Sequence, residues 1–335
     1  MGKQLTIGKY LGLKKIANEH GLITITAMDH RGSLKRAINP SNPSAVTYEE
    51  MVAMKRKLAT YLAPHSSALL VDPIYAAAQL IAEDIVPRNT GILVALEKSG
   101  YTGSSTARLT TILEGWSVEK IKRMGANAVK VLLYYNPDAG DIARKQEELV
   151  QFVAEECQRY DIPFLLEPIV YPLDPDMDAK GPEFAKLKPD LVIRSAEILT
   201  GMGIDILKAE YPTNPKYTDE KEQFERCKEL DQASQVPWTL LSAGVDYNTF
   251  YRQIEIAMEA GASGFLAGRA IWQEVPKLAP EDQDKFLATT SVMRLKNITN
   301  VANAYGRPWF EHPSFDHPIC PVAEGWYKDY PGCCS

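Results

Sequence analysis

AVKVLLYYNPDAGDIARKQEELVQFVAEECQRYDIPFLLEPIVY, residues 128–171, decides the fold. An apolar run is followed by an Asn-Pro-Asp turn, a charged amphipathic stretch and a second apolar run. Strand, helix and strand in that order form a βαβ unit, whose two strands must lie parallel. The unit recurs on both sides. LITITAMD (22–29), SALLVD (67–72) and GILVALE (91–97) precede it; ILKAEYP (206–212), WTLLSAG (238–244) and GFLAGR (264–269) follow it. Eight strands alternating with helices predict an α/β fold, a (β/α)8 TIM barrel, which typically takes roughly 250 residues.

Helix ends reinforce the repeat. Thr47 and Glu50 have capping-box spacing before MVAMKRKLATYLA. VEKIKRM follows Ser117 and stops at Gly125, and YRQIEIAMEA stops at Gly261. VIRSAEILT ends at Gly201 or Gly203 and leads into the Lys208 strand. No linker or composition shift divides residues 20–275, so they read as one catalytic barrel. Residues 1–19 hold a helix suited to plugging the barrel floor. Residues 276–335 read as a further helix, over 281–300, and a Pro- and aromatic-rich tail that serves as a wrap or as an interface arm, compatible with a homo-oligomer.

Bulk composition narrows the function. Hydrophobic residues make up 45% and charged residues 24% of the 335, as a soluble protein with a large core requires. A net charge of −6 argues against a nonspecific grip on nucleic acid or anionic lipid. No apolar run approaches the roughly 20 residues that span a bilayer, so a cytoplasmic protein without membrane partners is expected. The cysteines (Cys157, Cys227, Cys320, Cys333 and Cys334) form neither a CxxC pair nor an even disulfide set. Cys157 and Cys227 read as reduced thiols within helices, and Cys333 and Cys334 as exposed.

Chemistry in such a barrel gathers at the C-terminal strand ends. Period-two alternation sets Lys130 opposite Val129 and Val131, Glu167 opposite Leu166, and Lys208 opposite Leu207 and Ala209. If the apolar residues lie under the helices, three adjacent strands bring Lys130, Glu167 and Lys208 together inside the barrel. Burial and a second cation both disfavour an ammonium, and the neutral amine is the species that attacks a ketone to form an imine. A neighbouring carboxylate would move the protons. Each residue also has a plainer reading: Glu167 as a salt-bridge partner, Asp29 in AMDHRG as an N-cap or turn residue, and His30 as a hydrogen-bonded loop histidine.

A phosphate site is the second signal. Strand seven ends in Ser242-Ala243-Gly244 and strand eight in Gly268-Arg269. Loops after these two strands commonly bind phosphate in TIM barrels, glycines admitting the oxygens to backbone N–H groups and arginine binding them through two parallel hydrogen bonds. His20, His30, His65, His312 and His317 show no metal-ligand spacing, so no metal is expected. Dinucleotide, ATP and serine-hydrolase motifs are absent from the sequence.

Together LITITAMDHRGSLKR, AVKVLLYYNPD, PFLLEPIVY, GIDILKAEYP, LLSAGV and SGFLAGRAIWQ resemble the class I tagatose 1,6-bisphosphate aldolases, in order, over roughly residues 20–275. The resemblance implies that Lys208 forms the Schiff base, that Glu167 is the acid/base residue, and that Lys130 and Asp29 complete the catalytic cluster. It implies Ser242, Gly244, Gly268 and Arg269 as holders of the C1 phosphate, with His30 against the substrate. The implied reaction is reversible cleavage to dihydroxyacetone phosphate and glyceraldehyde 3-phosphate, without a cofactor; its partners are a phosphorylated ketose and triose phosphates. Two departures bear on the choice of substrate: His30, close to the site, stands where the family commonly has Gln, and the tail PWFEHPSFDHPICP differs. A related aldolase for 6-deoxy-6-sulfofructose 1-phosphate and a non-catalytic sugar-phosphate-binding regulator are the alternatives.

Overall fold

The computed structural model describes residues 3–319, 321–328 and 330. Eight parallel strands close into a barrel in sequence order: β1 (Ile23–Ala27), β2 (Ala68–Val71), β3 (Gly91–Ala95), β4 (Ala128–Tyr134), β5 (Phe164–Ile169), β6 (Ile206–Ala209), β7 (Trp238–Leu241) and β8 (Gly264–Ala267). Pairing of β1 with β8, Ile23 opposite Gly264 and Ile25 opposite Leu266, completes the ring. Each strand is shorter than its apolar run, because the last residues of each run leave the ladder and enter the loops at the barrel mouth.

Side-chain alternation sorts the strands into two cores. Outward residues Leu69, Val94, Val129, Val131, Leu166, Leu207 and Phe265 join the helices in one cluster. Inward residues Ile23, Ile25, Leu70, Leu93, Ala128, Leu165, Ile206 and Leu266 form a second cluster that fills the lower barrel. Stepping two residues along β4, β5 and β6 from Ala128, Leu165 and Ile206 gives Lys130, Glu167 and Lys208. The three charges therefore sit above the apolar plug on the inner face, as the alternation predicts.

The floor is closed by the ends of the chain. Leu13 and Ile16 of the helix Ile7–Ile16 and Leu5 just before it join the inner cluster, together with Trp309 and Phe315. Asp161 anchors this helix from outside, accepting hydrogen bonds from the N–H groups of Gly8 at 2.9 Å and Lys9 at 3.2 Å. The tail crosses beneath the barrel and pairs with the first residues, Lys3 N–H donating to Ser314 C=O at 2.7 Å and Leu5 N–H to Pro318 C=O at 2.9 Å.

The predicted capping box is formed: Thr47 accepts from Glu50 N–H, and Glu50 reaches back to Thr47 N–H at 2.8 Å. The helix leading to β6 begins earlier than its apolar pattern, running Pro182–Thr200 through Pro189. The helix expected over 281–300 is longer, continuous from residue 280 to residue 305 with a π-turn at Leu287–Ser291. Cys157 and Cys227 are buried and free. Cys320, Cys333 and Cys334 lie outside the described residues. Among the described residues no helix is long and apolar enough to cross a membrane.

Candidate active site

A cavity of about 590 Å³ opens at the C-terminal ends of the strands. Its wall includes every residue singled out in the sequence: Asp29, His30, Lys130, Glu167, Lys208, Ser242, Gly244, Gly268 and Arg269.

Lys130 is the electrostatic hub. Its ammonium, with no exposed surface, lies 2.8 Å from Asp29, 2.8 Å from Glu97 and 2.9 Å from Glu167. Glu167 also bridges to the second lysine, its Oε1 lying 2.7 Å from Lys208 Nζ. Burial opposes the ionised form of Asp29, but the Lys130 and Lys208 charges outweigh it and hold this carboxyl well below the usual range. Glu167 is held low in the same way, burial opposing and the same two lysines prevailing. For Lys130, burial would favour the neutral amine, yet Asp29, Glu167 and Glu97 raise its pKa well above the ordinary lysine value. Lys130 is therefore a fixed cation, and a poor nucleophile. Lys208 pairs with Glu167, and its charge also reaches Asp29.

His30 follows Asp29 and lies edge-on to Trp272, ring centroids 5.2 Å apart. Burial pushes its pKa down to about 4; Asp29 opposes the shift, and the Arg269 and Lys208 charges add to it. Its imidazole is neutral near pH 7, with Nδ1 buried and without a hydrogen-bond partner among the described residues.

The far wall is built to receive an anion. Ala243 and Gly244 take successive left-handed conformations, φ 47° and 74°, turning the backbone after β7 toward the cavity. Glycine at 244 suits the left-handed turn and leaves room for the Arg269 guanidinium, which a Cβ there would meet at 2.7 Å. Ser242 Oγ accepts from Gly268 N–H at 3.3 Å and ties the two loops together. Arg269 is half-buried, its Nε has no hydrogen-bond partner among the described residues, and burial and then the Arg36 charge lower its pKa. Two neighbouring guanidiniums suit a phosphate dianion.

Glu97 and Arg36, both in the wall, are charged residues that the sequence reading does not single out. Glu97 continues the inward parity of Leu93 and Ala95, the same signal that marked Lys130. Arg36 lies in the short helix Gly32–Ile38, where its spacing carries no signal. Glu210, two residues past Lys208, accepts from Val170 N–H at 2.8 Å and faces Lys188 of the helix Pro182–Thr200 at 3.6 Å, which ties the end of β6 to the loop after β5 and to that helix.

Residues 23–274 match the model of the DeoC/LacD family aldolases. The chain belongs to that family. Among relatives of this aldolase is tagatose 1,6-diphosphate aldolase 2 of Streptococcus agalactiae serotype III, 35% identical over 92% of this chain and 99% of its own. Tagatose 1,6-diphosphate aldolase of Streptococcus pneumoniae serotype 4 is 36% identical over 92% of this chain and 99% of its own. Fructose-bisphosphate aldolase of Plasmodium falciparum superposes with a TM-score of 0.69 at 13% identity, over 91% of this chain and 98% of its own. A Schiff-base-forming fructose-1,6-bisphosphate aldolase gives 0.55 at 20% identity, over 84% of this chain and 99% of its own. At such identities the structures bear on the barrel alone.

Proposed function

We propose that this aldolase reversibly cleaves tagatose 1,6-bisphosphate to dihydroxyacetone phosphate and glyceraldehyde 3-phosphate through a Schiff base on Lys208. The observation that carries the reading is the 2.7 Å contact of Lys208 with Glu167 at the floor of a cavity whose far wall presents Arg269, its Nε without a hydrogen-bond partner among the described residues. The names of the relatives supply the substrate class.

The steps follow from the arrangement. The Lys208 amine adds to the C2 ketone, and the carbonyl oxygen leaves as water after Glu167 delivers a proton. The C3–C4 electron pair then moves into the iminium, leaving an enamine on Lys208. The C4 hydroxyl gives its proton to the Glu167 carboxylate as glyceraldehyde 3-phosphate departs. Protonation at C3 and hydrolysis of the imine release dihydroxyacetone phosphate and restore the amine. Lys130 stays charged throughout and holds Asp29 ionised beside the reacting carbons, while Glu167 alternates between carboxylate and acid as it carries these protons. The C1 phosphate rests on Ser242, the Gly244 and Gly268 backbone, and Arg269, with neutral His30 lying between the phosphate and the reacting centre.

Coupled assays of triose phosphate release from tagatose 1,6-bisphosphate, fructose 1,6-bisphosphate and 6-deoxy-6-sulfofructose 1-phosphate test the reading. Turnover of the tagatose ester, lost in Lys208→Ala, is expected. Sugar-phosphate binding without turnover, unchanged in Lys208→Ala, would favour a regulator, and a preference for the sulfonate would overturn the distal-group assignment.

A further inference from the structure

Behind β1, on the helix side of the barrel, a second ammonium lies wholly inside the protein. Lys55 belongs to the helix Tyr48–Leu62, on the face that buries Met51, Val52, Leu58 and Leu62. Neither it nor its partner Asp72, just past β2, has any exposed surface. Neither lines the cavity, so neither touches substrate. Burying a charged pair costs several kcal/mol per ion, and apolar residues of similar volume often do the structural work as well or better. A pair retained at such a cost at the catalytic end of the barrel calls for a role in geometry.

Its contacts supply one. Lys55 Nζ donates to the Met28 carbonyl at 2.8 Å, the peptide unit that leads into Asp29, and pairs with Asp72 Oδ2. The other Asp72 oxygen accepts from Ile74 N–H at 2.9 Å and Tyr75 N–H at 2.8 Å, so the acid is itself held by its turn. Met28 N–H is fixed on the Leu70 carbonyl at 2.8 Å, and the preceding Ala27 carbonyl accepts from Trp272 Nε1 at 3.3 Å. The chain between β1 and Asp29 is thus held from the β2 side and from the β8 side. Asp29 follows directly, and its Oδ2 lies 2.8 Å from Lys130.

We propose that Lys55, braced by Asp72, is a positioning residue that acts through the Met28 carbonyl to hold the Asp29 carboxylate on Lys130 and toward the reacting carbons. This rests on the Schiff-base reading of the site. Rotation of the Met28–Asp29 peptide would move Asp29 off Lys130 while leaving Lys208, Glu167 and the phosphate wall in place. The loss should fall on kcat and spare KM.

The test is a double-mutant cycle in the full-length enzyme, with tagatose 1,6-bisphosphate as substrate. Lys55→Met/Asp72→Asn removes both charges and keeps an acceptor for the turn at Ile74 and Tyr75. Misplacement of a catalytic group by about 1 Å costs on the order of 100-fold, so a kcat loss of about 10- to 100-fold is expected with KM changed less than about twofold. In an Asp29→Asn background the same pair of substitutions should cost less than about threefold, because the group it positions is already gone. A loss below about threefold in the parent, an equal loss in both backgrounds, or a loss carried by KM overturns the proposal. Thermal melts check folding; Lys55→Gln, one atom shorter and without the charge that pairs with Asp72, carries the same cycle if the paired variant does not fold. No turnover by the wild type fails the functional reading and this inference with it; turnover with an insensitive Lys55 variant fails this inference alone.

Discussion

Replacing Lys130 by Met removes the one ammonium that faces Asp29, Glu97 and Glu167 together. Breaking a buried ion pair from one side costs about 3–5 kcal/mol, because the remaining charge is left without compensation. Unfolding entropy of about 2.1 cal/mol/K per residue, over 335 residues, converts that into a fall in Tm of about 4–7 °C. The pH dependence carries the sharper signature. In the wild type, Asp29 and Glu167 have lowered pKa values, so their contribution is complete above about pH 4 and is lost only as pH falls through the depressed values. Without Lys130, Glu167 keeps Lys208 beside it, but Asp29 loses the largest charge that opposed its burial and is driven up. Its folded pKa then exceeds the unfolded one, and the variant gains stability as pH falls from about 7.5 to about 5. Differential scanning calorimetry of both proteins at those two pH values reads the gap in Tm, in which titrations common to both cancel. The gap should be widest at the higher pH and should narrow on acidification, while kcat falls at least about 100-fold. A gap below about 1 °C, or one that does not change with pH, would refute the view of Lys130 as the charge that keeps this cluster ionised.

The other outcomes are read in the cleavage assay. Lys208→Arg should abolish turnover, since a guanidinium that never loses its charge cannot add to a carbonyl, and near-normal activity would remove Lys208 from the mechanism. Glu167→Gln should lower kcat by about 10²–10⁴-fold; a loss under about threefold would leave Glu167 as a salt-bridge partner only. Arg269→Ala should raise KM for the bisphosphate by about 10- to 150-fold, the equivalent of the roughly 1.5–3 kcal/mol in a hydrogen bond to a charged group. An unchanged KM would move the phosphate away from this wall.

How much of this was legible in the sequence depends on the physical signal at each position. Barrel strands are continuous apolar runs with a strict period of two, and a lysine in the middle of AVKVL or ILKAE therefore stands out and has a defined side. Glu97 carried the same parity signal, but lay at the end of its run, where strand and loop cannot be told apart by composition. Strand ends were read too long for that reason: residues 28–29, 96–97 and 242–244 continue the apolar or small-residue pattern while their backbones have already turned to build the site. Pro189 interrupts the helix pattern before Val192, so the helix from Pro182 was read only in its second half. Lys55 shows a different limit. A lysine on a helix surface is usually solvated, and only tertiary contact reveals that this one passes between the helix and the strand ends to reach Met28. Arg36 has no periodic neighbours, and only the folded chain brings it beside Arg269.

Borohydride reduction of the enzyme with dihydroxyacetone phosphate, followed by peptide mass mapping, tests the central claim most directly. A stable adduct on Lys208, absent from Lys208→Ala, is the expected result. An adduct on Lys130 instead, or no adduct under conditions where binding of dihydroxyacetone phosphate is independently demonstrated, would contradict it.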